Sequence, residues 1–218
     1  MDSLELLNHD IVNCFRCPRL VEWREFVART KKREFADEEY WGRPVPNWGD
    51  PRAGRLIVGL APAAHGGNRT GRIFTGDRSG DFLFAALFRA GVANQPESRH
   101  VADGLQLKGV LITAPVHCAP PGNKPLPSEL GNCREYLART LALRRWTSIL
   151  CLGKIAWDQL HVTLGERPQV PFGHGAVSAT PTGTKIIGSY HVSQQNTFTG
   201  KLTPSMMDEV LELFLRSE

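Results

Sequence analysis

Four short apolar runs, each followed by a segment with helical periodicity, constrain the fold most strongly. The runs cover residues 55–61, 109–114, 148–152 and 185–189, and each is bounded by Gly, Pro or polar residues. The helical patterns cover residues 80–90, 127–143, 155–164 and 205–215. Strands that alternate with helices form parallel sheets covered on both faces. We therefore expect an α/β fold, a three-layer α/β/α arrangement with a four-stranded parallel central sheet.

The length of the chain is typical of one domain. At 218 residues it can bury about two-thirds or more of its unfolded surface without disulfide support, so we expect one domain over residues 1–218. No apolar stretch reaches the ~20 residues of a membrane span. The N-terminal residues, with Asp2 and Glu5, lack the basic and apolar regions of a secretory signal. These features favour a protein of the cytoplasm with no membrane partner, and we further expect a monomer.

The charge of the chain is unevenly distributed. The formal net charge is +4, but residues 1–50 carry eight basic and ten acidic side chains, so the positive excess lies in residues 51–218. An excess of this kind suits a surface that binds a polyanion. It is equally compatible with a merely soluble basic protein.

Five cysteines, an odd number, argue against a disulfide framework. Cys14 and Cys17 form a C-x2-C pair, and Cys118 and Cys133 follow at a distance. Four thiolates of this kind can hold a tetrahedral zinc ion or a [4Fe–4S] cluster, and spacing alone leaves both open. Cys151 lies within an apolar run, which favours a buried structural role.

Loops after the predicted strands carry the unusual polar content, and ligands bind beyond the carboxyl ends of parallel strands. The first loop follows residues 55–61 and holds six glycines between residues 59 and 80, together with Phe74 and Asp77. Glycines allow close approach of the backbone to a ligand, and backbone amides there could bind an anion. The loop matches neither the dinucleotide fingerprint nor the P-loop, so a nucleotide cofactor is not indicated.

Two further loops contain candidate site residues. His191 follows a strand, and the small polar side chains after it suit phosphate contacts and a poised imidazole. The stiff, proline-rich loop at residues 115–126 contains Asn123, whose amide could contact the edge of a base. A structural His and an Asn in a turn are the ordinary alternatives.

These segments together resemble the family 5 uracil-DNA glycosylases, an iron–sulfur branch of the uracil-DNA glycosylase superfamily related to family 4. The similarity covers nearly the whole chain and is carried by four motifs: Gly59–Pro62, the run from Asn68 to Asp77, the Cys118-Ala-Pro-Pro-x-Asn123-Lys segment, and the run from His191 to Asn196. The resemblance implies a four-stranded parallel sheet between helices. It also implies a [4Fe–4S] cluster on Cys14, Cys17, Cys118 and Cys133, with Cys151 left over.

Roles for individual residues follow from the same resemblance. Ala61 stands where many members of the superfamily carry a catalytic acidic or amide side chain, and its presence transfers the carboxylate role to Asp77. Phe74 is expected to stack on the extruded base, His191 to hydrogen-bond its carbonyl, and Asn123 to contribute to base contact or catalysis. Gly59 and Ala61 would line the base pocket.

The implied activity is a monofunctional glycosylase that removes uracil, and other deaminated bases, from DNA. The residues expected to contact DNA are Asn68, Arg69, Arg72, Ser193, Gln195 and Asn196, with Arg78, Lys124 and Lys201 as further candidates for phosphate contacts. The neighbouring lysines, Lys124 and Lys201, match no known nucleophile position, which favours an intact abasic product. The alternative from another class is a non-catalytic iron–sulfur module that binds DNA.

Overall fold

The four predicted strands form the centre of a mixed sheet in the computed structural model, which describes residues 2–216. They are β2 (Arg55–Val58), β3 (Val110–Thr113), β4 (Ser148–Leu152) and β6 (Lys185–Ser189), and they are mutually parallel as predicted. The expected single domain of residues 1–218 also includes Met1, Ser217 and Glu218, which lie outside the described residues.

The strand count predicted from the sequence was too low. Two short antiparallel strands, β1 (Trp48–Gly49) and β5 (Val177–Ala179), extend the sheet at its edges and give the order β1-β3-β2-β4-β6-β5. Each has only two or three residues and pairs with one neighbour, so neither needs the apolar run that identifies an interior strand. The α/β class and the three-layer arrangement are confirmed.

Helices cover both faces of the sheet, and they include all four that periodicity predicts. Their bounds are α1 Leu4–Val12, α2 Pro18–Thr30, α3 Gly67–Thr70, α4 Arg78–Arg89, α5 Pro127–Ala142, α6 Lys154–Leu164, α7 Gln194–Phe198 and α8 Pro204–Leu215, with short 3-10 helices at Arg33–Phe35 and Pro121–Asn123. None of the helices in residues 2–216 has the length and apolar character needed to cross a membrane.

Alternate residues of the central strands point to opposite faces and build two cores. Ile57 and Leu150 pack with α4 and α8 on one face, whereas Leu56 and Ile149 pack with α5 and α6 on the other. Cys151 is fully buried in the second core, as predicted. Burial on both faces explains why the strands read as continuous apolar runs.

The N-terminal helices lie beside the sheet and carry the C-x2-C pair between them. Ser3 caps α1 by accepting a hydrogen bond from the Leu6 amide at 3.1 Å, and Pro18 occupies the first position of α2, where its missing N–H costs nothing. Leu7 and Ile11 of α1 pack against Tyr136 of α5. This packing brings the C-x2-C pair close to the loop that follows β3.

Candidate active site

A cleft of about 570 Å³ opens at the carboxyl ends of the parallel strands. Three loops form its walls: the glycine-rich loop after β2, the proline-rich loop after β3 and the loop after β6, named below the His191 loop. The residues that line it are Leu60, Ala61, Ala63, Phe74, Asp77, Arg78, Ser79, Gly122, Asn123, Lys124, His191, Ser193, Gln194 and Gln195. Strand order therefore brings together three loops that are far apart in sequence.

Asp77 lies at the N-terminus of α4, with its half-buried side chain on the wall of the cleft. It caps the helix, because its Oδ1 accepts a hydrogen bond from the Gly80 amide at 2.9 Å. Its Oδ2 lies where a side chain at residue 66 would be, since a Cβ added to Gly66 would come within 1.9 Å of it. Glycine at position 66 is thus required for the carboxylate to adopt this position.

The environment of Asp77 acts on its pKa in two directions. Desolvation by the surrounding protein raises the pKa of the carboxyl above its ordinary value, and the amides of Gly80 and Ser79 act in the opposite sense. The positive end of the α4 dipole also favours the carboxylate form. A partly desolvated carboxylate held by backbone amides is suited to stabilise a cation or to orient a water molecule.

Phe74 lines the cleft, and its backbone is strained. Its φ of 52° is unusual for a bulky side chain, and strain of this kind is concentrated at functional sites. The ring is 5% exposed and packs so closely on Gly59 that a Cβ there would lie 2.9 Å from the ring. Gly59 therefore acts behind Phe74 and does not line the cleft.

His191 faces Phe74, with the two ring centres 6.4 Å apart. Burial lowers the pKa of the imidazole to about 4, so His191 is neutral at pH 7 and can donate one ring N–H. Asn196 supports the loop by donating from Nδ2 to the His191 carbonyl at 2.8 Å. The neutral imidazole of His191 can donate a hydrogen bond, and the Phe74 ring offers an aromatic surface. Together they suit a planar ligand with an acceptor oxygen.

Asn123 lies at the mouth of the cleft, exposed, in the 3-10 helix of the proline-rich loop. Its φ of 57° is a left-handed conformation that Asn tolerates better than most residues. The same residue also borders a neighbouring cavity of about 670 Å³, which reaches Trp23 and His65. The structure thus brings Asp77, Phe74, His191, Asn123 and Ala61 together around one cleft.

The four cysteines expected to bind a metal line a second, more enclosed cavity between α1, α2, α5 and the start of the proline-rich loop. We call Cys14, Cys17, Cys118 and Cys133 the cysteine centre. None of these four cysteines forms a disulfide, and burial raises the pKa of Cys118 to about 11. Among residues 2–216, no three His, Cys, Asp or Glu side chains are grouped tightly enough to hold a single metal ion.

A buried arginine adjoins the cysteine centre. Arg24 is 1% exposed, and its Nη1 donates to the Cys118 Sγ at 3.1 Å and to the Cys14 carbonyl at 3.2 Å. No carboxylate pairs with it in the described part of the chain, and its Nε has no hydrogen-bond partner there. A buried cation needs an anion. The donor set therefore fits an anionic group bound by the four thiolates.

Comparisons with known proteins agree with this geometry. The sequence model of the uracil DNA glycosylase superfamily matches residues 46–215. A type-5 uracil-DNA glycosylase of Mycobacterium tuberculosis is 53% identical over 208 residues, which cover 94% of this chain and 78% of the relative. A type-5 enzyme of Thermus thermophilus is 51% identical over 200 residues, covering 91% and 90%. A type-4 enzyme of Pyrobaculum aerophilum is 29% identical over 168 residues, covering 77% and 69%.

The chain belongs to the uracil-DNA glycosylase superfamily. The far higher identity to the type-5 relatives places it in that branch, as the motifs predict.

Three residues expected to contact DNA have interior positions in this superfamily member, and the prediction is corrected for them. Arg72 is 1% exposed and pairs with Asp103 at 2.6 Å. Arg69 is 7% exposed and pairs with Glu38. Asn68 is fully buried and donates from Nδ2 to the Arg24 carbonyl at 3.2 Å. Their polar groups are directed to the protein, so they are unavailable to phosphates in this structure.

The other candidates for DNA contact lie near the cleft, in different settings. Ser193 and the exposed Gln195 line it, whereas Asn196 braces the His191 loop from behind. The exposed side chains of Arg78 and Lys124 reach its mouth. Lys201 is exposed further along and lies over the Tyr190 ring, with its Nζ 4.9 Å from the ring centre.

Sequence reasoning missed Leu60, Ser79 and Gln194, which also line the cleft. Leu60 and Ser79 lie next to predicted site residues. Their position in loops predicted to form the site is the sequence signal that could have identified them. Gln194 lies at the start of α7, between the predicted site residues Ser193 and Gln195.

Proposed function

We propose that the protein is a monofunctional uracil-DNA glycosylase, which hydrolyses the N-glycosidic bond of deoxyuridine in DNA and leaves an abasic site. The observation that carries the proposal is the meeting of Asp77, Phe74 and His191 in one cleft, in a chain of the type-5 branch. The reaction would begin base excision repair of DNA that contains deaminated bases.

The substrate base must first leave the DNA stack, which costs a few kcal/mol. Stacking on Phe74 would recover part of this cost, because a base on an aromatic ring gains about 1–3 kcal/mol. The small side chains of Ala61 and Ala63 leave room for the base beside that ring.

Bond cleavage separates charge, and the cleft offers a group for each charge. The deoxyribose becomes cation-like, and the Asp77 carboxylate would stabilise it and orient the attacking water. The departing uracil becomes an anion, and the neutral His191 would donate a hydrogen bond to its carbonyl oxygen as in an oxyanion hole. Water then adds to the sugar, and the base leaves with the proton.

The product is expected to be an unbroken strand with an abasic site. Strand cleavage by a glycosylase needs an amine that attacks the sugar, and Lys124 is a lysine that lines the cleft. It is exposed at the mouth of the cleft, whereas Asp77 lines the wall. An exposed position of this kind suits a phosphate contact, together with Arg78 and Lys201.

The range of bases is proposed to extend to hypoxanthine and xanthine. The wall around Phe74 is formed by Leu60, Ala61 and Ala63, whose side chains have no hydrogen-bonding groups that would select a pyrimidine. Recognition would then depend on backbone groups, His191 and Asn123, which every deaminated base with a carbonyl oxygen can use.

The cysteine centre is proposed to hold a [4Fe–4S] cluster on Cys14, Cys17, Cys118 and Cys133, whose chemistry there is structural. Two observations support this assignment. The four cysteines line one enclosed cavity, and four thiolates are the ligand set of a [4Fe–4S] cluster. The buried Arg24 would offset the negative charge of the four thiolates.

The protein is further proposed to act as a monomer on DNA in the cytoplasm of a bacterium or archaeon. Relatives named as uracil-DNA glycosylases come from such organisms. The positive excess in residues 51–218 suits a DNA partner.

The test is incubation of the purified protein with oligonucleotides that carry U, hypoxanthine, xanthine or only normal bases. Release of the free base, with strand breaks only after alkali, is the expected result. Strand breaks without alkali, or a covalent adduct trapped by borohydride, would contradict the monofunctional mechanism. DNA binding without release of any base would favour the non-catalytic module.

Iron and acid-labile sulfide in the purified protein would support the cluster, and zinc without sulfide would overturn it.

A further inference from the structure

Arg69 is a buried cation directly behind the loop that carries Asp77. Its guanidinium joins three segments: Nε donates to the His65 carbonyl at 2.8 Å, Nη2 donates to the Gly76 carbonyl at 3.0 Å, and Nη1 pairs with the Glu38 carboxylate. The guanidinium carbon also lies 3.8 Å from the centre of the Phe35 ring. The Arg69 side chain is 7% exposed, whereas its partner Glu38 lies at the surface.

The contact with Gly76 bears on Asp77 because the two residues share a peptide bond. Gly76 has a φ of +71°, and a Cβ added to it would lie 2.2 Å from the Arg69 Nη2. Glycine at position 76 is therefore required for the chain to turn and for the guanidinium to reach the carbonyl. The hydrogen bond fixes the peptide that immediately precedes the carboxylate.

The positive charge of Arg69 also acts on Asp77. It lowers the pKa of that carboxyl, against desolvation and the neighbouring Asp81, which raise it. The remaining charged or titratable groups that line the cavities on either side of Asp77 are Lys32, Glu34, His65, Arg78, Lys124 and His191. Arg69 is a cation among the groups that shift the pKa of Asp77. Its side chain is buried, and its anionic partner is Glu38.

We infer that Arg69 is a positioning residue for base excision, which holds the Gly76–Asp77 peptide in place. This inference rests on the proposed catalytic role of Asp77. It replaces the expectation that Arg69 contacts DNA phosphates, because its guanidinium is already bonded to His65, Gly76 and Glu38.

The test compares Arg69→Met and Arg69→Lys with wild type by single-turnover excision over a range of pH. Arg69→Met should slow excision by ~10²-fold, because a small displacement of a catalytic group has an effect of this size. The acidic limb of its pH–rate profile should move to higher pH, because loss of the cation makes Asp77 easier to protonate. Arg69→Lys keeps the charge, so its limb should stay near that of wild type while its rate remains reduced.

Two controls separate this role from the alternatives. Arg89→Met removes an exposed arginine that pairs with Asp208 at the other end of α4, and it should leave the rate and the limb unchanged. The affinity of Arg69→Met for DNA and its dependence on salt should remain near wild type. A loss of affinity that matches the loss of rate, with a smaller salt slope, would identify a phosphate contact and overturn the inference.

A fold defect is distinguished by the thermal midpoint of each variant and by Gly76→Ala, which crowds the guanidinium without removing it. Gly76→Ala should reproduce the slower rate of Arg69→Met.

Wild-type excision rates and wild-type acidic limbs in both Arg69 variants would overturn the inference while leaving the role of Asp77 intact. If Asp77→Asn excises uracil like wild type, the proposed role of Asp77 fails and the inference fails with it. If both roles hold, Arg69→Met should have little further effect in the Asp77→Asn background.

Discussion

The active-site cleft and the cysteine centre lie on the same proline-rich loop, yet they are built in opposite ways. The cleft is open, and two residues at it, Phe74 and Asn123, have positive φ angles. The cysteine centre is enclosed by helices, and its polar neighbour is the buried Arg24. Cys118 and Asn123 stand five positions apart on the loop that serves both.

The contrast shows how a strained site is supported. Backbone strain of about 1–3 kcal/mol at each such residue persists only where the surroundings hold it. The cysteine centre joins the N-terminal helices to the proline-rich loop, and Arg24 connects it to the glycine-rich loop, because Asn68 donates to the Arg24 carbonyl. We therefore expect variants in the cleft to affect the rate of excision, and variants in the cysteine centre to affect stability.

The largest effect is expected for Asp77→Asn. Loss of the carboxylate charge should slow single-turnover excision of uracil by about 10³-fold or more, while binding to DNA survives. Asp81→Asn is the matched control, because Asp81 is exposed one turn further along α4. An Asp77→Asn variant that excises uracil at the rate of wild type would remove Asp77 from the mechanism.

His191→Ala should have the next largest effect. Removing one donor from an oxyanion hole slows a reaction by about 10²–10³-fold, and the loss should appear in single-turnover excision. Because the pKa of His191 is lowered to about 4, its titration should add no limb to the wild-type pH–rate profile above about pH 5. His100→Ala, at an exposed site, is the control. Equal rates for the two variants would argue against a role for His191 in the reaction.

Cys17→Ala should act on stability instead. Loss of one ligand should release iron and lower the thermal midpoint, because a bound metal centre stabilises the fold that holds it. Cys151→Ala changes a cysteine in the core outside the cysteine centre, so it should retain the iron content of wild type. Iron content and thermal midpoint are measured for both. Cys17→Ala with full iron content and an unchanged midpoint would contradict the assignment of the ligands.

The smallest effects are expected for Lys124→Gln and Lys201→Gln at the rim of the cleft. Each should weaken DNA binding modestly and reduce the slope of log affinity against log salt by about one, if each lysine neutralises one phosphate. Arg89→Gln serves as the control on another surface. Salt slopes identical to that of wild type would exclude these lysines from the interface.

Sequence patterns predicted the central sheet, the helices and the principal residues of the cleft, because these depend on local signals. Asp77 and His191 lie in loops that come after strands, and the carboxyl ends of parallel strands meet at one edge of the sheet. The DNA contacts that the family resemblance implied for Arg69 and Arg72 are not available in the structure, because both guanidinium groups pair with acidic side chains of the protein. The acidic partners of these residues, Glu38 and Asp103, each lie 31 positions away in sequence. Whether such distant residues pair and become buried depends on tertiary packing. A local sequence pattern holds no information about that packing.

The two edge strands escaped prediction for a related reason. Trp48 of β1 pairs with Ile112, and Val177 of β5 pairs with Ile187, so each short strand depends on a neighbour that is already in place. Neither segment has the apolar run of an interior strand.

The most direct test of the central claim is a crystal structure of the protein with an oligonucleotide that carries 2′-fluoro-2′-deoxyuridine. The fluorine disfavours the cation-like sugar and so preserves the bound substrate. The account predicts an extruded uracil that stacks on Phe74, with a carbonyl oxygen within hydrogen-bond distance of a His191 ring nitrogen and the sugar C1′ facing the Asp77 carboxylate. A uracil bound elsewhere, such as in the groove beside Trp48 and Lys108, would contradict it.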